Sequence, residues 1–261
     1  MEAATQPDAH PTPIASHAAD RLIVALDFSS ADEALRLVDQ LQHTCRWFKV
    51  GMELYYAAGN EIIDRLLQRD LKVFLDLKLH DIPNTVAGAI RSVAGAGASL
   101  LTLHAGGGEQ MMRAAAQAAS SPGAPELLAV TVLTSMDSAQ LSAAGVVPTE
   151  DPAVMVQSQV LRLAHLARTS GINGLVCSAE EVATVREAMG PNARLVVPGI
   201  RPAASPASST PDTPDDQRRI ATPAQAIARG ASMLVVGRPI TQAPDPAAAA
   251  AAILTEIASV L

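Results

Sequence analysis

Eight short runs rich in Val, Leu and Ile, separated by longer amphipathic stretches, recur from Arg21 to the C-terminus. They are Leu22 to Leu26, Trp47 to Val50, Lys72 to Leu77, Leu100 to Leu103, Leu127 to Val132, Gly174 to Val176, Arg194 to Val197 and Met233 to Val236. Apolar runs alternating with helical stretches are the signature of a parallel sheet buried on both faces by helices. Helices are expected at about Asn60 to Gln68, Thr85 to Ala96, Glu109 to Ala119, Ala153 to Arg168, Ala179 to Met189, Pro223 to Arg229 and Pro246 to Val260. An earlier one is introduced by Ser30, with Glu33 three residues on as in a capping box, ahead of Ala34, Leu37, Val38 and Leu41. Eight strands with eight crossovers favour an α/β fold closed into a (β/α)8 TIM barrel over an open doubly wound sheet. Such a barrel takes roughly 250 residues, and this chain has 261, of which 49% are apolar.

The flanking and connecting segments set the domain limits. Residues 1–20 mix Ala, Pro, His, Thr and Asp without periodicity, so they cannot bury enough apolar surface to offset their ordering entropy and are expected to form a disordered tail. A single catalytic domain is expected over 21–261. The Pro/Ser/Thr-rich stretch 198–222 after the seventh strand is longer than barrel connections usually are and reads either as a tolerated insertion or as a lid. Its basic ends, Arg201, Arg218 and Arg219, suit a lid over an anion.

Net charge is −7 with no long run of one sign, so no footprint for nucleic acid or an anionic membrane is present. Cys45 and Cys177 have neither CxxC spacing nor a disulfide-dense context. With no signal-peptide core and no apolar stretch of membrane-spanning length, a soluble cytoplasmic protein is expected.

The densest group of ionisable residues is DLKLHDIPNT, Asp76 to Thr85, at the end of the third strand. Strand alternation places Asp76 and Lys78 on one face, and Leu75, Leu77 and Leu79 on the other. The apolar face belongs against helices, so the charged pair faces the barrel interior near its C-terminal mouth, where barrel active sites lie. Lys49 in FKVG and Asp27 in LIVALD end the neighbouring strands. Four charges on three consecutive strands exceed what stability alone calls for. The array supplies a lysine poised to donate a proton, beside negative charge that disfavours a substrate carboxylate.

PGIRP around Arg201 and VVGRP around Gly237 and Arg238 follow strands seven and eight, the recurrent phosphate site of such barrels. A phosphorylated small substrate is therefore expected. Other features carry less. HAGGGEQ lacks both the dinucleotide fingerprint and the Walker lysine and reads as a tight strand-to-helix turn. His80, Asp81 and His104 lack metal-ligand spacing and read as satisfied polar residues of the mouth, and Cys177 reads as an inert thiol.

LIVALD, FKVG, DLKLHDIPNT, LHAGGG, AVTVLTSM, VVPGIRP, DQRRIATPAQAIARGAS and VVGRPIT occur in an order that resembles the orotidine 5'-phosphate decarboxylase family, in its bacterial form, over essentially all of residues 21–261. The resemblance implies cofactor-free, metal-free decarboxylation of orotidine 5'-monophosphate to uridine 5'-monophosphate. It implies that Asp27 and Lys49 contact the ribose, with Lys49 also joining the charge network of Asp76, Lys78 and Asp81. Lys78 matches the family's proton donor, and Asp76 the carboxylate beside the departing carboxylate. Asp81 and Thr85 match residues that reach into the partner subunit's site, which implies a homodimer with shared active sites. Thr134 matches a pyrimidine-side contact, and Arg201, Gln217, Gly237 and Arg238 match the phosphate site. The span from GIRP to DQRR is longer than the bacterial pattern usually has. Two alternatives stay open: a magnesium-dependent 3-keto-gulonate-6-phosphate decarboxylase, against which Lys49 argues, and a catalytically silent nucleotide-binding barrel.

Overall fold

The computed structural model describes residues 17–146, 152–202 and 220–261. Its eight strands are β1 (Leu22–Leu26), β2 (Trp47–Gly51), β3 (Lys72–Leu79), β4 (Leu100–His104), β5 (Glu126–Val130), β6 (Gly174–Val176), β7 (Arg194–Val197) and β8 (Met233–Val236). All pair in parallel and in sequence order, and β8 returns to β1 with Ile23 opposite Val235, closing the barrel. Closure leaves no open edge. The runs read from the sequence are these strands within one or two residues.

Alternation along the strands divides the core in two. Outward residues such as Leu22, Val24, Phe48, Val50, Val73 and Leu75 are buried against the surrounding helices. Inward residues Ile23, Trp47, Phe74, Leu100, Leu128, Val196 and Met233 fill the barrel as a second cluster. Near its N-terminal end, Lys72 lies 5.1 Å over the Trp47 ring and Arg194 pairs with Glu126 at 2.7 Å. The barrel interior is therefore packed at its lower level, and a cavity lined by inward side chains opens at the C-terminal mouth.

Three local expectations are revised. Ser30 does precede the helix Ala31–Leu41 in an extended conformation, but its side chain makes no capping bond; Asp32 and Glu33 supply negative charge to that first turn. Side-chain capping boxes occur instead at Asp137 with Gln140 and at Thr222 with Gln225. The helices Met52–Ala58, Ser138–Ala143 and Arg238–Thr241 were not expected, since elements this short carry too few turns for a periodic signal. At the N-terminus, a turn at 17–19 buries Ala18 completely and is closed by the Arg21 N–H on the Ala18 carbonyl, so packing begins inside the expected tail. Residues 1–16 of that tail lie outside the described residues.

Candidate active site

β3 departs from regular pairing where the charges are. Leu75 lies opposite Leu101 and Leu79 opposite Leu103, so four steps along β3 accompany two along β4. Lys78 absorbs the excess with φ +49°, a left-handed conformation that costs a non-glycine residue about 1 kcal/mol. Its N–H bonds not to a strand carbonyl but to Thr102 Oγ1 at 2.8 Å. The same hydroxyl donates to Asp76 Oδ1 at 2.9 Å. Asp76 and Lys78 do share the inward face, as alternation predicts, yet a bulge held by Thr102 brings them into contact.

Lys78 Nζ lies 2.9 Å from both Asp76 carboxylate oxygens. Lys49 Nζ donates to Asp27 Oδ1 at 2.8 Å and lies 3.8 Å from Asp76 Oδ2. Carboxylate and ammonium thus alternate in the order Asp27, Lys49, Asp76, Lys78. The Asp76 side chain is only 14% exposed and has a cation on each side, which such an enclosed carboxylate requires. A Cβ at Gly51 would stand 3.0 Å from Lys49 Nζ, so glycine leaves the ammonium its space.

The array forms one wall of a cavity of about 340 Å³, a size suited to a small ligand. Thr134 and Ser135 line it from the connection after β5, Gly199 and Arg201 after β7, and Gly237 and Arg238 after β8. The base of the β7 connection is clamped: Arg201 N–H bonds the Ala221 carbonyl at 2.9 Å, beside the bridge between Ile200 and Ala221. The two expected arginines therefore share a cavity with the four charges. Gln217, Arg218 and Arg219 lie outside the described residues, as does most of the long segment containing them.

Asp81 and Thr85 do not line this cavity. Both are exposed; Asp81 Oδ1 accepts the Ile82 N–H at 2.6 Å, and Thr85 lies in the first turn of Pro83–Ala94. His80 and His104 stack on each other, and among the described residues no group of three or more His, Cys, Asp or Glu side chains is gathered as a metal site. Burial pushes the Cys45 thiol up to about 12, which leaves it protonated and inert.

Sequence reasoning missed Thr102. The available signal was a lone hydroxyl at an inward position of an otherwise apolar strand, LLTLH. Thr102→Val keeps the shape but removes an acceptor and a donor, and is expected to lower kcat by roughly 10-fold to 100-fold, whereas Thr102→Ser stays within about threefold. Steady-state kinetics on the two variants check this; a loss in Thr102→Ser with Thr102→Val unaffected would mean that the methyl group, not the hydroxyl, is what counts.

Fold and site together define a (β/α)8-barrel enzyme whose mouth gathers two lysines, two arginines and two aspartates. The model of the Orotidine 5'-phosphate decarboxylase / HUMPS family matches residues 20–253, and the chain belongs to that family. An orotidine 5'-phosphate decarboxylase from Halorhodospira halophila is 50% identical over 92% of this chain and 96% of its own length. One from Moorella thermoacetica is 46% identical over 94% of each. Among solved structures, orotidine 5'-phosphate decarboxylase from Lactobacillus acidophilus aligns with a TM-score of 0.76 at 39% identity, covering 91% of this chain and 99% of that one. An uncharacterized conserved protein from Geobacillus kaustophilus aligns at 0.75 and 37% identity, covering 90% and 99%.

Proposed function

We propose that the chain decarboxylates orotidine 5'-monophosphate to uridine 5'-monophosphate and CO2, the last step of de novo pyrimidine nucleotide synthesis. The observation that carries this reading is the unbroken array Asp27, Lys49, Asp76, Lys78 in one cavity with Arg201 and Arg238.

In this reading Arg201, Gln217, Gly237 and Arg238 hold the phosphate, Asp27 and Lys49 the ribose, and Thr134 the pyrimidine. The substrate carboxylate lies beside Asp76. Breaking the bond from C6 to the carboxylate releases CO2 and leaves the electron pair on C6, where the ring delocalises it poorly. Lys78 stabilises that charge and then donates a proton to C6, forming the product; the resulting amine is reprotonated from solvent. Phosphate binding, remote from C6, supplies binding energy for assembling the array. Asp81 and Thr85 complete the neighbouring site of a homodimer. Their exposure outside their own cavity supports this, as do the exposed apolar side chains Met52, Tyr56, Ile82 and Leu133 on the connections after β2, β3 and β5. The single barrel domain works in the cytoplasm, to which its two buried free cysteines are suited. No helix among the described residues is long and apolar enough to cross a membrane.

Purified protein assayed with orotidine 5'-monophosphate should release CO2 and uridine 5'-monophosphate at a rate unchanged by a chelator, because Lys78 stabilises C6 without a Lewis acid. Loss of turnover on chelation, restored by magnesium, would instead support the keto-gulonate type of chemistry; binding without turnover would support a silent barrel.

A further inference from the structure

The stacked histidines at the mouth have no part in the chemistry above, and the glycine-rich turn after β4 has no role beyond making a turn. Both lie beside the segment that carries Lys78 and Asp81. Because Leu79 pairs with Leu103, His80 and His104 leave β3 and β4 at the same level. Their rings lie 5.3 Å apart and 17° from parallel. His104 is anchored, since its Nδ1 accepts the Gly106 N–H at 3.2 Å. That bond requires an unprotonated Nδ1. Burial, with His80 and Lys78 nearby, lowers the His104 pKa and favours the neutral ring.

The turn leaves room for this pair. A Cβ at Gly106 would meet His104 Nδ1 at 3.1 Å and His80 Cε1 at 3.9 Å, and one at Gly107 would stand 3.2 Å from His80 Cδ2 while overlapping Met111 Sδ. Two adjacent glycines thus form a hollow against which the rings lie. The turn they face includes Lys78 at φ +49°, a conformation that persists only when its surroundings over-determine it. Thr102 holds the Lys78 end through the amide, Leu79 pairs with Leu103, and His80 then stacks on His104 at the exposed end of the turn.

We propose that His80 and His104 are positioning residues: their stack, seated on Gly106 and Gly107, holds the turn from Lys78 to Asp81 in the conformation that presents Lys78 to the reacting carbon. The proposal rests on the reading of Lys78 as proton donor. Neither histidine lines the cavity that holds the charged array. The phosphate-side residues Arg201, Gly237 and Arg238 lie on the connections after β7 and β8, so loosening this turn affects the chemical step more than substrate binding.

The test compares wild type, His80→Ala, His80→Phe and the double variant His80→Ala/His104→Ala, by steady-state kinetics with orotidine 5'-monophosphate and by hydrogen exchange of the segment 78–82. His80→Ala should lower kcat about 10-fold to 100-fold with KM within about threefold, as expected for ångström-scale misplacement of a reacting group. The 78–82 amides should exchange about tenfold faster. His80→Phe, which keeps a ring, should restore both within about threefold. The double variant should be no worse than His80→Ala, because the pair acts as a unit. A kcat for His80→Ala within threefold of wild type, a loss that His80→Phe does not recover, or unchanged exchange would each overturn the proposal. Inactivity of the wild type would refute the functional reading instead, and the exchange measurements would still decide whether the stack holds the turn.

Discussion

Replacing Lys78 by Ala is expected to lower kcat by at least about 10⁴-fold while the barrel stays folded. Two losses multiply: removal of a positioned general acid costs roughly 10²–10⁴-fold, and removal of a cation aimed at developing charge roughly 10²–10³-fold. The floor of the combined loss corresponds to about 5.4 kcal/mol of transition-state stabilisation. Folding survives because Asp76 is not left alone. It keeps the Thr102 hydroxyl at 2.9 Å and Lys49 at 3.8 Å. Ala also carries the same Cβ as Lys, so the left-handed backbone at this position is no more strained than before. Lys78→Gly relieves that strain and should be more stable than Lys78→Ala by about 0.5–1 kcal/mol while equally inactive. Single-turnover assays with thermal melts check both statements; turnover of Lys78→Ala within about tenfold of wild type would remove Lys78 from the role of proton donor.

Mixing Lys78→Ala subunits with Asp81→Ala subunits is expected to restore activity that neither variant possesses alone. Lys78 faces its own barrel cavity, whereas Asp81 is exposed outside it, where its Oδ1 accepts the adjacent Ile82 N–H. If each subunit lends Asp81 to its neighbour, every site of either mutant homodimer carries one lesion. In a heterodimer the two lesions fall in the same site, and the other site is intact. Verified heterodimers should therefore recover up to roughly half of the wild-type activity per dimer, given independent sites. Absence of recovery would mean that Asp81 acts within its own subunit or that the sites are coupled.

The architecture was legible because it is encoded locally and repeatedly. Each strand is an apolar run, and each charged residue of the array sits at or near a strand's C-terminal end, so alternation and chain order suffice to bring Asp27, Lys49, Asp76 and Lys78 to one mouth. The loops bearing Arg201, Gly237 and Arg238 were legible for the same reason: a closed parallel barrel returns all its strand-to-helix connections to one end. Short helices such as Met52–Ala58 were missed because they lack periods to read, and Ser30 was misjudged because residue type does not fix a hydroxyl's orientation.

Alternation and chain order settle which residues are inward, at which end, and in what order around the barrel. Tertiary structure alone decided how they meet. The two extra steps in β3, the left-handed turn at Lys78, Thr102 bridging that turn to Asp76, and the seating of His80 on His104 all depend on register between β3 and β4. Register is a property of two strands separated by a whole helix. It is completed when the barrel closes and its interior packs, so the alternation within β3 alone leaves the two extra steps unspecified.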